Sequence, residues 1–313
     1  MTQHTIGVDI SKDQLDIHVL PGGDAMTVTN SGHGFRKLVR WFRKLDPQII
    51  VFEPTGSYHR AFEQAMHTAG FAICKVNPLY ARRFAQAVGV LAKTDRVDAA
   101  LLARMGVALD PEPQQPQSET AILLRELAMS RRGLMKERTA TLNRQKTLIH
   151  PLLKRQCAAR LRQIEGQVKQ LDAEIGEVIR ADEHLCRRAT ILTSIPGISD
   201  VTAFTLMVEM PELGTLSSPQ IASLAGLAPM TRESGKWKGK SFIQGGRAIL
   251  RQSMYMPALV ATRFNPDMRV FYERLVAAGK PAKVAITAVM RKLVILANAL
   301  VKADRTWEPR TSS

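Results

Sequence analysis

Asp9 in Ile6-Gly-Val-Asp9, Glu53 in Ile49-Ile-Val-Phe-Glu53, and the pair Asp95 and Asp98 in Lys93-Thr-Asp-Arg-Val-Asp98 are acids at the ends of apolar runs. The chain around them carries a net charge of +16. Hard divalent cations such as Mg²⁺ need oxygen-rich sites of this kind. Two such ions can stabilise the attacking and leaving oxygens of phosphodiester transfer. Taken singly, each acid has a plainer reading as a turn former, a loop residue or a favourable charge at a helix N-terminus. The set of four, all at element ends, favours a metal pocket facing nucleic acid.

A second constellation is Thr231-Arg-Glu-Ser-Gly-Lys-Trp-Lys-Gly-Lys-Ser241, followed by Gln244-Gly-Gly-Arg247. Ser234 precedes a glycine and is surrounded by Arg232, Lys236, Lys238 and Lys240, cations able to hold a scissile phosphate and stabilise its transition state. It is a candidate nucleophile, with Ser241 as an alternative. The plainer reading is an ordinary basic loop. Trp237 is either a loop anchor or a base-stacking residue. The turn Ser194-Ile-Pro-Gly197-Ile198 between helical segments resembles a helix-hairpin-helix turn whose backbone N–H groups hold a phosphate, or it is a simple interhelical turn.

These groups must be positioned by the elements around them. Thr5 to Ser11 and Gln14 to Leu20 read as a hairpin, followed by a helix over Phe35 to Leu45, a strand at Ile49 to Phe52, a helix from Tyr58 to Ala69 and a strand from Phe71 to Val76 ending at Asn77-Pro78. Thr94 caps a helix running through Arg104, which places Asp95 and Asp98 in its first turns on one face. The three prolines of Asp110 to Gln117 end the first region. From Ser118 to about Arg188 the chain is helical. Leu161, Ile164, Val168, Leu171, Ile175 and Val178 form a three-four seam, and Leu123, Leu127, Leu134 and Leu148 form a looser one. Pro151 implies a helical hairpin packed on itself or on another subunit. Helices follow at Val201 to Met210, Ile221 to Leu227, Ala248 to Thr262, Pro266 to Ala278 and Ala282 to Val301.

Composition narrows the function. Lys and Arg outnumber Asp and Glu 44 to 28, which favours phosphate backbones, while an aromatic share of 5% argues against base stacking as the main contact. The three cysteines form no Cys-x-x-Cys, so neither a zinc knuckle nor a disulfide framework is expected. No P-loop, Rossmann fingerprint or His-Glu-x-x-His motif occurs. A cytoplasmic setting without membrane spans is expected, Val284 to Val301 being interrupted by Arg291-Lys292.

The motifs in order resemble those of the insertion-sequence-110 family of DEDD transposases, including the 1111 group. They are Ile6-Gly-Val-Asp9, Glu53-Pro-Thr-Gly-Ser-Tyr58, Val76-Asn-Pro78, Lys93 to Ala99, Ser194 to Ile198, Leu224-Ala-Gly-Leu-Ala-Pro229, Glu233-Ser-Gly235 and Leu250 to Ala258. The resemblance implies a RuvC-like, RNase H-type α/β domain over 1–110, with a mixed sheet and flanking helices. A coiled coil over 118–188 and a mainly α-helical transposase domain over 189–313 would follow. It implies that Asp9, Glu53, Asp95 and Asp98 hold Mg²⁺ or Mn²⁺ and that Ser234 forms a phosphoserine bond with cut DNA. Donor and target DNA, a structured bridge or seeker guide RNA, and a homodimer assembling to a tetramer are the implied partners. Arg232, Lys236, Lys238, Lys240, Arg247 and Gly197 are expected to contact nucleic acid. One departure is a loop after Gly235 about one residue shorter than in some relatives, with Gln244 where lysine is common. Rival readings are a Holliday-junction nuclease with water as nucleophile, an actin-like or sugar kinase, and a non-catalytic RNA-binding scaffold.

Overall fold

The computed structural model describes residues 3–90, 95–114, 118–231, 233–234, 237–239 and 241–309. They fall into two compact units, 1–117 and 118–313.

The first unit is a five-stranded mixed sheet in the order β3-β2-β1-β4-β5. Strands β1 (His4–Ile10), β2 (Gln14–Leu20) and β3 (Ala25–Thr29) form an antiparallel meander. β4 (Pro47–Phe52) and β5 (Ile73–Lys75) add in parallel beyond β1. The period of two divides the sheet into two apolar faces. Ile6, Val8 and Ile10 join Ile50 and Phe52 in a core with Phe35, Leu38 and Phe42 of α1 (Gly32–Leu45) and Phe62 and Met66 of α2 (Arg60–Thr68). On the other face Ile49, Val51 and Cys74 pack with Ala81 of α3 (Pro78–Ala87) and with Leu102 and Met105 of α4 (Asp95–Leu109). α/β architecture and the main elements match the expectation. β3 and α3 are additions. α3 starts where Asn77-Pro78 reads as a stop, because Asn77 caps it by accepting from the Leu79 N–H and proline suits a first helical turn.

The second unit begins with two long helices, α5 (Glu119–Thr147) and α6 (Pro151–Ala181). The ion pairs Arg131–Asp172 and Arg138–Glu165, the latter at 3.0 Å, set them antiparallel, since the α6 number falls as the α5 number rises, a helical hairpin folded on itself. All six residues of the α6 seam are buried or half-buried, whereas Leu123 of the looser α5 series is exposed and its neighbour Leu124 is buried instead. Leu124, Ala128 and Ile175 enter the core of the helices that follow: α7 (Glu183–Thr193), α8 (Asp200–Glu209), α9 (Ser218–Leu224), α10 (Ala248–Ser253), α11 (Tyr255–Phe264), α12 (Pro266–Ala277) and α13 (Ala282–Lys302). The expected single helix over Ala248 to Thr262 is broken at Met254. Pro257, in the first turn of α11, has no N–H to bond back to Ser253, so a continuous helix would lose that bond. α13 is long and apolar enough to cross a membrane by composition. Its buried face, including Val289, Leu293, Val294 and Ala297, packs into this core.

Candidate functional site

Asp9 is the penultimate residue of β1, and Glu53 directly follows β4. The parallel ladder pairs Val8 with Phe52, so the next positions along the two strands are Asp9 and Glu53. Alternation puts Asp9 on the face of Thr5 and Gly7, and Glu53 on the face of Ile49 and Val51. Both belong to the face that α4 covers. Both are half-buried.

Gly7 sets how closely α4 lies. A Cβ there would run into the backbone of Ala99 and Ala103, while Gly106 lies against Thr5 and Val51. As the helix number rises from 99 to 106, the strand number falls from 7 to 5. α4 therefore runs antiparallel to β1, and its first turn points to the edge where Asp9 and Glu53 emerge. Asp98 stands in that turn, half-buried. Asp95 is the first residue of α4; its side chain, and Thr94 as the expected cap, lie outside the described residues. Sheet register and helix direction thus bring all four positions to one edge of one unit.

Among the described residues no group of three or more His, Cys, Asp or Glu is close enough to cage a metal ion. The donor chemistry still fits a magnesium-type ion, which characteristically takes one or two carboxylates together with waters and substrate phosphates. This edge would leave coordination positions for the phosphate.

Asn30, overlooked in the sequence, joins the loop after the strand of Asp9 to the loop that Glu53 begins. Its Nδ2 donates to the Ser11 carbonyl at 2.8 Å and to the Tyr58 carbonyl at 3.2 Å. Ser11 directly follows β1, and Tyr58 lies two residues before α2. Nothing in Asn30-Ser-Gly32 announces this, since the bonds reach 19 and 28 residues along the chain. Behind the same loop, His59 lies against Phe52 with ring centroids 6.1 Å apart and 3.6 Å from Glu63, which takes a 2.8 Å bond from Lys75. Burial and then the Lys75 charge hold the His59 imidazole below its ordinary pKa, against the pull of Glu63.

In the second unit Ser234 is the last residue of β7 (Glu233–Ser234) and is exposed. It pairs antiparallel with Trp237 in β8 (Trp237–Lys238). A second ladder pairs β6 (Pro229–Met230) with β9 (Phe242–Ile243). The ladders are nested, two residue pairs in each, so the segment is a hairpin arm with Ser234 at its outer end. Ser241 lies further down, beside the second ladder, and is exposed. Arg232, Lys236 and Lys240 lie outside the described residues, as do the side chains of Trp237 and Lys238.

Arg247 closes the base of the arm. Its guanidinium donates to both Glu212 carboxylate oxygens at 2.7 and 2.8 Å and to the Glu209 carbonyl at 2.6 Å. Burial pushes the Glu212 carboxyl up, but the Arg247 bonds and charge outweigh it and leave its pKa below the ordinary value. The edges of Arg247 best suited to a phosphate are spent inside the unit. Gly197, with φ +107°, lies where a Cβ would press on Pro257 and Ala261 of α11. Its place is the packing of the α7–α8 turn against that helix.

A family model of DEDD transposases of the IS110 type matches residues 6–154, and a second, for transposases of the IS116/IS110/IS902 family, matches residues 189–273. The class is therefore that of DNA transposases. Pilin gene-inverting proteins of Moraxella bovis and Moraxella lacunata are each 32% identical over 325 residues, covering 99% of this chain and 99% of theirs. A 43.6 kDa protein of the insertion element IS110 from Streptomyces coelicolor is 30% identical over 156 residues, 49% of this chain and 37% of that protein. The chain belongs to the IS110 family of DEDD transposases, enzymes of DNA recombination. RuvC of T. thermophilus in complex with a Holliday junction substrate overlaps 36% of this chain and 100% of its own at 11% identity, with a TM-score of 0.29.

Proposed function

We propose that this transposase cuts and rejoins DNA through a covalent bond to Ser234, using divalent metal at the edge formed by Asp9, Glu53, Asp95 and Asp98. The observation that carries the reading is the exposure of Ser234 at the outer end of the hairpin arm, where a strand can reach its Oγ. The Ser234 Oγ attacks phosphorus and loses its proton. An O–P bond forms, the bond from phosphorus to one nucleoside oxygen breaks, and that oxygen leaves as a hydroxyl. The phosphoserine conserves the phosphodiester, so a new hydroxyl can reverse the step without another energy source. Mg²⁺ or Mn²⁺, when bound, supplies charge neutralisation at the scissile phosphate.

Arg232, Lys236, Lys238 and Lys240 are proposed to hold that phosphate. Arg247 braces the arm, and Gly197 packs its turn. Inversion of DNA, as the names of the Moraxella relatives record for those proteins, and insertion of an element both use this cut-and-rejoin chemistry. An element-encoded structured RNA is proposed to choose donor and target by base pairing, which leaves side chains free of that task. The protein is proposed to act as a homodimer that pairs into a tetramer.

The test is a denaturing gel of end-labelled donor DNA. The native protein should leave a protein–DNA adduct and Ser234→Ala none, with DNA binding retained. Cleavage to free ends without any adduct would instead assign the attack to water. Sequencing nucleic acid that co-purifies with the protein should recover one structured RNA from the element. Sequence-specific binding of element ends by RNA-free protein would remove the guide.

A further inference from the structure

We infer that α6 carries a second seam, on which the α6 of a second copy of this chain packs antiparallel. Beside the buried seam, Leu152, Gln156, Ala159, Gln163, Gln167 and Gln170 recur along the helix at intervals of three and four, which sets them on one face. All six are exposed. α6 carries ten charged side chains, and none stands on this stripe. A face kept only for solubility carries charge. A face for phosphates carries cations. Uncharged residues at coiled-coil spacing fit another helix, and polar side chains within such a seam fix its register.

The spacing itself selects the partner. It reads the same in both directions from Gln163, with Ala159 and Gln167 four residues away and Gln156 and Gln170 seven away. An identical helix turned end for end therefore sets 156 against 170, 159 against 167, and Gln163 against itself. A twofold interface is self-complementary in this way.

Charge along the hairpin selects the direction. Its tip half, 138–164, holds seven Lys and Arg and no acid, whereas its base half, 119–137 with 165–183, holds nine acids and six bases. Antiparallel copies lay each basic half along the other's acidic half. Parallel copies would lay seven cations against seven. The apolar tip is placed as well. Leu152, eleven residues before Gln163, comes opposite Glu174, eleven after it. Glu174 lines a groove of about 500 Å³ floored by the half-buried Leu134 and Leu171. Gly133 keeps that groove open, with nothing within 4 Å of where its Cβ would stand. This surface rests on the self-association proposed above and is independent of Ser234 and of metal.

The test uses the full chain, freed of nucleic acid by nuclease, in a Cys186→Ser background, since Cys74 and Cys157 are buried. With a short bis-maleimide, Gln163→Cys should give a covalent dimer, and Arg162→Cys, one position round the helix, should not. Gln156→Cys and Gln170→Cys should cross-link when mixed and not singly. Gln163→Glu, which sets two carboxylates on the twofold axis, should raise the dimer dissociation constant tenfold or more by light scattering, with the far-ultraviolet circular dichroism unchanged. A dimer by mass that Gln163→Cys fails to capture overturns this surface and leaves self-association standing. A monomer by mass overturns both. Gln156→Cys cross-linking alone overturns the antiparallel register. Weaker RNA or DNA binding by Gln163→Glu with its mass unchanged makes the stripe a nucleic-acid face and overturns the pairing.

Discussion

Asn30 carries no charge, yet its two hydrogen bonds link the loops beyond Asp9 and Glu53. Asn30→Ala should therefore need several-fold more Mg²⁺ for half-maximal nicking while costing only about 1–2 kcal/mol of stability. A metal titration of nicking beside a thermal melt checks this, and an unmoved titration curve would reduce Asn30 to a loop residue. The positions of Asp9 and Glu53 at neighbouring strand ends were legible in the sequence because an acid ending a run of buried β-branched residues is conspicuous. Asn30 was not, because its partners are distant in the chain. The bond from Arg247 to Glu212 was hidden for a related reason, since its partner lies 35 residues away in the chain. Arg247→Ala should free the base of the arm and leave the partly exposed Glu212 without its cation, a loss of about 1–2 kcal/mol after solvent screening. Chemical denaturation of the full chain measures it.

At the scale of elements, the seating of α4 on β1 depends on the missing side chain at Gly7. Gly7→Ala should push α4 off the strand and cost about 1–3 kcal/mol, as expected when extra volume is forced into a packed contact. Nicking should fall further than stability accounts for, because the first turn of α4 carries two of the acids. Circular-dichroism melts and nicking rates on the same preparation check both parts. The amphipathic elements were readable from apolar spacing, and so were the hairpin and the α6 seam. β3 was missed because only Val28 of its five residues is buried, too little to set a period. The serine arm was missed because its strands are only two residues long and are separated by sequence rich in lysine, arginine and glycine. Pairing across 229–243, rather than local preference, makes it a hairpin.

Two units that fold around separate cores give the whole molecule two kinds of dependence. The first is on pH. Burial first holds both His59 and His67 below the ordinary 6.5, the Lys75 charge adding to it and Glu63 opposing, so the unfolded chain binds protons more readily than the folded one. Their contribution is complete above about pH 6.5 and declines as pH falls through that value and below it. The melting temperature should drop between pH 7 and 5, and His59→Phe with His67→Phe should flatten that drop. A profile unchanged by the substitutions would show that other groups set it. The second dependence is on assembly. Asp9→Asn and Ser234→Ala, each inactive alone, should regain strand exchange when mixed if the acids of one subunit serve the serine of another, and stay inactive if each subunit's site is self-contained. The central claim is that DNA becomes bonded to one particular oxygen, and mass spectrometry reads that bond directly. After the reaction is quenched and the DNA is digested with nuclease, the tryptic peptide Glu233-Ser-Gly-Lys236 should carry a nucleotide phosphate on Ser234. A nucleotide on Ser241 or any other residue, or cut DNA with no modified peptide, would contradict the account.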